Sequence, residues 1–284
     1  MSIQTPPPST PVFIITGCTS GFGRSIAFES LSRGHAVIAT ARNSSRLSEL
    51  QAAGAAVMDL DVTSTDDTLN QKMAEANALY GRITHVVNCA GYILEGGVEE
   101  ASSKEVFDHY NTNVLGTFNV ARAVVKYLRA AAAVPGQQVA LANFGSLGSW
   151  SSGAGVAHCN TKFAVSGLTE GLAEELKPFG IDVCVVEPGY TQTGKVAAYQ
   201  GTAVAAVHDA LETYNGKQPG DVDKSAKVLV DVLTKSGVAK DREVPVRLAL
   251  GADTLEVIRK KCEDTLRLNG EWEDISRSTM RDEK

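Results

Sequence analysis

No run of about 18 apolar residues occurs anywhere in the chain, which removes an ordinary transmembrane helix from consideration. Cysteine is sparse and scattered. Cys18, Cys89, Cys159, Cys184 and Cys262 form no CxxC pair and no Cys/His ligand spacing, so neither a disulfide framework nor a zinc site is expected, and a reducing compartment fits. His35, His85, His109 and His208 share no ligand spacing either, and no metal is expected. Positive charge is not in surplus: the formal net charge is −6, and no Lys/Arg cluster rises above a solvated helix face. Such a chain repels a phosphate backbone, which argues against a nucleic-acid partner. Residues 1–11 contain Pro6-Pro7-Pro8 but neither a basic n-region nor an apolar h-region, so they are expected to form a disordered arm and the chain to stay in the cytoplasm.

What is present is a foldable composition, 43% apolar and 21% charged over 284 residues. From Val12 onward, short β-branched runs (Val12–Thr16, Ala36–Ala41, Ala55–Leu60, His85–Asn88, Gln138–Phe144, Ile181–Val186, Glu243–Leu250) alternate with helix-period stretches (Gly23–Ser32, Ser44–Ala53, Ser64–Leu79, Glu105–Ala132, Lys162–Pro178). That alternation predicts an α/β fold, a Rossmann-like doubly wound parallel sheet of seven strands flanked by helices. No Pro/Gly/Ser-rich linker cuts the series, so residues 12–284 are read as one domain. The rhythm breaks at about 190–220, where small apolar residues and Tyr199 follow the sixth strand; the segment reads as a lid over an apolar ligand or as a surface helical hairpin. Thr254–Trp272 has helical periodicity and is expected to pack beside the sheet edge.

The first strand runs into a glycine-rich turn, Thr16-Gly17-Cys18-Thr19-Ser20-Gly21-Phe22-Gly23, that opens the first helix. Gly17 permits a tight turn, Gly23 a close strand–helix approach, and the helix start at Gly21 offers free N–H groups to a diphosphate. At the end of the second strand, where an NAD site places an acid for the ribose 2′-hydroxyl, stands Arg42; its fork suits a 2′-phosphate, so NADP(H) is preferred over NAD(H), the alternative being a solvated strand-end arginine.

Together these residues resemble a short-chain dehydrogenase/reductase from Val12 to about Trp272. Thr16–Gly23 matches TGxxxGxG, Asp61-Val62 the adenine-contacting pair, and Asn88-Cys89-Ala90-Gly91 matches NNAG with Cys89 for the second Asn. Pro188 and Gly189 with Thr193 match PGxxxT, and the resemblance assigns that segment, including Thr191, to the nicotinamide carboxamide. It also implies an Asn-Ser-Tyr-Lys active site, carried here by Asn113, Ser146 and Lys162, with Lys162 also a ribose contact. The YxxxK position holds His158, not tyrosine.

A phenol acidified by the lysine donates the proton that a developing alkoxide needs, and losing such a group costs on the order of 10²–10⁴-fold. An imidazole reaches less far, and the Lys ammonium disfavours imidazolium. Three readings follow: an oxidoreductase acting on a carbonyl or hydroxyl in which His158 or a water it holds moves the proton; a non-redox enzyme (isomerase, dehydratase, epimerase or cyclase) that keeps the cofactor; or an impaired cofactor-binding protein, natural or a Tyr-to-His variant. The first is placed ahead of the others. Tyr92, Trp150, Tyr190 and Tyr199 are candidates to line an apolar substrate of polyketide, terpenoid, steroid or retinoid type, or are plain packing. The resemblance further implies a homodimer or homotetramer.

Overall fold

The computed structural model describes residues 6–94, 98–152, 156–190 and 220–281. The β-rich runs become seven strands: β1 (Val12–Thr16), β2 (Ala36–Ala41), β3 (Ala56–Asp59), β4 (His85–Asn88), β5 (Ala140–Phe144), β6 (Asp182–Pro188) and β7 (Arg247–Leu250). They form one sheet in the order β3-β2-β1-β4-β5-β6-β7, every neighbouring pair parallel. All five residues of β1 are buried, as a strand covered on both faces requires. Its side chains alternate. Val12 and Ile14 enter a layer with Ile38, Leu69, Met73, Val124, Leu128 and Leu141, whereas Phe13 and Ile15 enter a second layer with Ile26, Val37, Leu229 and Val230.

The helices are α1 (Gly21–Ser32), α2 (Ser48–Ala52), α3 (Asp66–Tyr80), α4 (Ser103–Tyr110), α5 (Gly116–Ala132), α6 (Val156–Leu176), α7 (Val222–Leu233), α8 (Ala252–Glu271) and α9 (Glu273–Arg277). α3, α5 and α6 supply the first apolar layer, α1 and α7 the second. The strand order reverses between β1 and β4, which opens a crevice beyond their carboxyl ends; ligands of open α/β sheets bind at such a switch point.

Several elements differ from the reading of the sequence. The stretch 105–132 is not one helix: Ser102 and Glu105 form a capping box that starts α4 at Ser103, and a π-helical turn, Asn111–Leu115, separates α4 from α5. α6 begins at Val156 rather than Lys162. α7 was not anticipated, although Ala226, Leu229, Val230 and Leu233 carry its buried face and the Asp221 carboxylate caps it by accepting from the N–H groups of Asp223 and Lys224. α8 meets the edge strand β7 only through its first turn, where Thr254, its one buried residue, donates to Leu250 O; Leu255, Leu266 and Leu268 are exposed. Residues 6–11, expected as part of a free arm, are gathered by Arg82, which donates to the carbonyls of Pro6, Pro7 and Thr10. Among the described residues no helix is long and apolar enough to cross a membrane, and no group of three or more His, Cys, Asp or Glu is placed to hold a metal ion.

Candidate active site

The turn from β1 into α1 is built against the end of β4. Gly17 has φ +72°, and a Cβ there would sit 2.9 Å from Ala90 N and Cα; a Cβ on Gly23 would sit 2.5 Å from Gly17 O. Neither position admits a side chain without moving backbone. The Ala90 N–H donates to Thr16 Oγ1 at 3.0 Å and the Cys18 N–H to Thr40 O at 3.0 Å, which ties the ends of β1, β2 and β4 together. Ser20 precedes the first helical residue, Gly21, without a side-chain cap, so the first N–H groups of α1 are left to a ligand. Thr19 is half-buried. The Phe22 ring packs on Phe144 with centroids 5.0 Å apart, which leaves only its backbone for a ligand.

Around the turn, Arg42 is exposed, with no side-chain ion pair or hydrogen bond among the described residues, and Arg46 is exposed in the short turn Ser44–Leu47. Asp61 Oδ1 accepts from the N–H and hydroxyl of Thr63, and Val62 is buried where a Cβ on Gly116 would meet its Cγ2 at 2.6 Å. Asn88 donates to Asn143 Oδ1 at 2.9 Å, while its own Oδ1 is buried without a partner among the described residues. Gly91 lies over Asn113, whose Oδ1 a Cβ would meet at 3.0 Å.

Asn113 sits in the π-helical turn, buried, with its amide orientation fixed: Oδ1 accepts from Tyr92 N and Nδ2 donates to Tyr92 O, at 3.0 and 2.9 Å. Nδ2 also lies 2.8 Å from His109 Nε2 and 3.3 Å from Thr161 Oγ1. Thr161 in turn donates to His158 O at 2.8 Å, so Asn113 is coupled to the helix turn that carries His158. Ser146 follows β5. Its Oγ accepts from the Gly148 N–H at 3.0 Å, which leaves its hydrogen free to donate. Lys162, one turn after His158 on α6, donates from Nζ to Phe144 O at 2.9 Å, at the end of the same strand. The structure thus gathers Asn113, Ser146, His158 and Lys162 at the carboxyl ends of β4 and β5, next to the glycine turn.

Charge in this site is set by burial. His158 is only 8% exposed, and desolvation, helped by the Lys162 ammonium and by His109, pushes its pKa down to about 3. It is a neutral imidazole near pH 7, with Nδ1 buried and unpartnered among the described residues. Burial also lowers Lys162, to about 8.

The aromatic candidates separate. Trp150 donates from Nε1 to Glu187 Oε2 at 2.8 Å and stacks under Arg247 at 4.4 Å, so its polar atom is committed to packing. Tyr92 is exposed, and its ring meets His109 edge-on at 5.0 Å. The Tyr190 N–H donates to Asp253 Oδ2 at 2.8 Å and its carbonyl accepts from Gly220 N at 3.2 Å; the Gly189 N–H goes to Leu250 O at 2.8 Å, while Pro188 ends β6. Thr191, Thr193, Tyr199 and nearly all of the 190–220 segment lie outside the described residues. His109, Glu187, Arg247 and Asp253 were missed in the sequence. His109 alone had a signal, standing one helical turn before Asn113.

A doubly wound parallel sheet with a glycine turn at its switch point defines a Rossmann-like α/β protein. More particularly, the chain belongs to the short-chain dehydrogenase family, whose model matches residues 11–202. It is similar to the oxidoreductase BOA17 of Botryotinia fuckeliana, 30% identical over 282 residues that make up 94% of this chain and 98% of that one. A solved short-chain dehydrogenase from Streptomyces avermitilis is 34% identical with a TM-score of 0.83, covering 96% of this chain and 99% of that chain. A metagenomic short-chain oxidoreductase solved with NADP shares the fold at 24% identity and a TM-score of 0.65, covering 86% and 100%.

Proposed function

We propose that the chain is an NADP(H)-dependent oxidoreductase acting on a carbonyl or hydroxyl group of an apolar small molecule. The observation that carries this reading is the convergence of Ser146, His158 and Lys162 beside the glycine turn, joined to Asn113 through Thr161. The residues fit a dinucleotide: Gly17 and Gly23 let the turn pack directly on backbone where no side chain is admitted, and Ser20 leaves the first N–H groups of α1 uncapped for a diphosphate. When bound, the dinucleotide supplies or accepts the hydride. Thr19, Ser20, Gly21 and Phe22 would hold its diphosphate through backbone and hydroxyl groups, Asp61 and Val62 its adenine, and Ala90, Gly91, Pro188 and Gly189 its nicotinamide half. Exposed Arg42 supports the 2′-phosphate.

The proton is handled by this chain's own groups. The free hydrogen of Ser146 Oγ holds the substrate oxygen as negative charge develops on it. Neutral His158 orients that oxygen or a water by one hydrogen bond, and the Lys162 ammonium, titrating near 8, is the proton source at Nζ through that water. Assembly as a homodimer or homotetramer in the cytoplasm belongs to the same proposal; exposed Phe107, Leu115 and Phe118, on and between α4 and α5, offer an apolar face for it.

Calorimetry with NADPH and NADH, joined to NADPH oxidation over a panel of apolar ketones and aldehydes, tests the reading. Arg42→Ala is expected to weaken NADPH about 10-fold while leaving NADH unchanged. Equal effects would remove the preference, and no affinity for either nucleotide in folded protein would remove the proposal.

A further inference from the structure

We propose that Ser149 and Ser166, seated on the buried Glu187–Arg247 ion pair, are positioning residues that hold Ser146 and the Lys162 turn of α6 in register; the effect on rate rests on the oxidoreductase reading above. Glu187, near the end of β6, is wholly buried. A carboxylate there is tolerable only if paired and hydrogen-bonded. Its Oε2 accepts from Trp150 Nε1 at 2.8 Å, and its Oε1 from Arg247 Nη1 at 2.6 Å and from Ser166 Oγ at 2.9 Å. Arg247 also reaches Glu170 at 2.7 Å, so β7 clamps both β6 and α6.

From that anchor the contacts lead to the site. Ser166 Oγ shares its one hydrogen between Glu187 Oε1 and Ser149 Oγ, 2.8 Å away, and Ser149 Oγ donates to Lys162 O at 3.0 Å while accepting from the Ser146 N–H at 3.2 Å. One hydroxyl therefore touches the backbone of both Ser146 and Lys162. Gly145 completes the seat: a Cβ there would sit 2.9 Å from Ser149 Oγ and 3.1 Å from Glu187 Cγ, so the residue before Ser146 rests directly on the anchor. Arg247 lies beyond the matched residues 11–202, so the C-terminal part of the chain helps set the site.

The test is Ser149→Ala in the full chain, with Ser166→Ala as a second variant should the first fail to fold. Loss of the tie is expected to lower kcat about 10-fold or more through misplacement, with substrate KM and NADPH affinity within about twofold of the parent. A second readout needs no turnover: the pH at which Lys162 becomes reactive to acetic anhydride, mapped by peptide mass spectrometry, should move up from near 8 as the amine leaves its buried seat. If the parent turns over no carbonyl or alcohol, the oxidoreductase reading fails and the labelling profile still decides the positioning role. Unchanged kcat and an unchanged Lys162 profile in a folded variant would overturn the inference.

Discussion

His158→Tyr is the perturbation that bears most directly on the chemistry. A group titrating at about 3 carries its proton in roughly one molecule in 10⁴ at pH 7, so charging His158 there costs about 5 kcal/mol. That deficit matches the order of magnitude lost when an acid is removed from such a site, about 10²–10⁴-fold. A phenol stays protonated at neutral pH, and Lys162 one turn behind it would acidify it. The variant is expected to raise kcat on apolar ketones by about 10²-fold, with KM changed little. Steady-state NADPH oxidation measures both, and a melting curve checks that the larger ring is accommodated where His109, 5.7 Å from His158 by ring centroids, crowds the site. The parent rate should be flat between about pH 5 and 7 and fall on the alkaline side as Lys162, near 8, loses its proton. A parent rate that rises into acid around 6.5, together with a slower His158→Tyr enzyme, would show imidazolium to be the acid and refute the reasoning.

Gly23→Ala should abolish measurable NADPH binding in calorimetry, because its Cβ would sit 2.5 Å from Gly17 O and force the turn open. Stability should fall with acid in urea titrations. His85, buried between Thr84 and Leu233 O, titrates near 4 when folded against about 6.5 unfolded, so the unfolded chain binds the proton first and stability is lost from about pH 6.5 down to 4, about 2 kcal/mol of it by pH 5. His158 adds a loss of the same sign over the window from about 6.5 to 3, and a curve flat between pH 7 and 5 would contradict both. Arg247→Ala leaves Glu187 buried without its cation and should cost about 3–5 kcal/mol by chemical denaturation; a loss under about 1 kcal/mol would mean that the pair is screened.

The parts of this protein legible in the sequence are those whose physics is local. Strand positions followed from runs such as Val12–Thr16, which both apolar layers require, and the glycine turn followed from backbone conformations that only glycine supplies. What escaped depends on contacts between residues distant in the chain. Arg247 and Glu187 are 60 positions apart, and nothing in either local pattern says that one neutralises the other beneath Ser146. The C-terminal helix was legible only in part for a related reason: its periodicity fixes its conformation but not how far it packs, and beyond the first turn most of its apolar side chains face outward. Position 158 joins the two cases. The histidine is visible in the five residues His158–Lys162, but whether an imidazole there is an acid depends on how much water it keeps, and that is decided by its burial together with Lys162 and His109. The sequence located the chemical question, and burial answers one part of it by holding the ring neutral; in the proposed mechanism the proton then falls to Lys162.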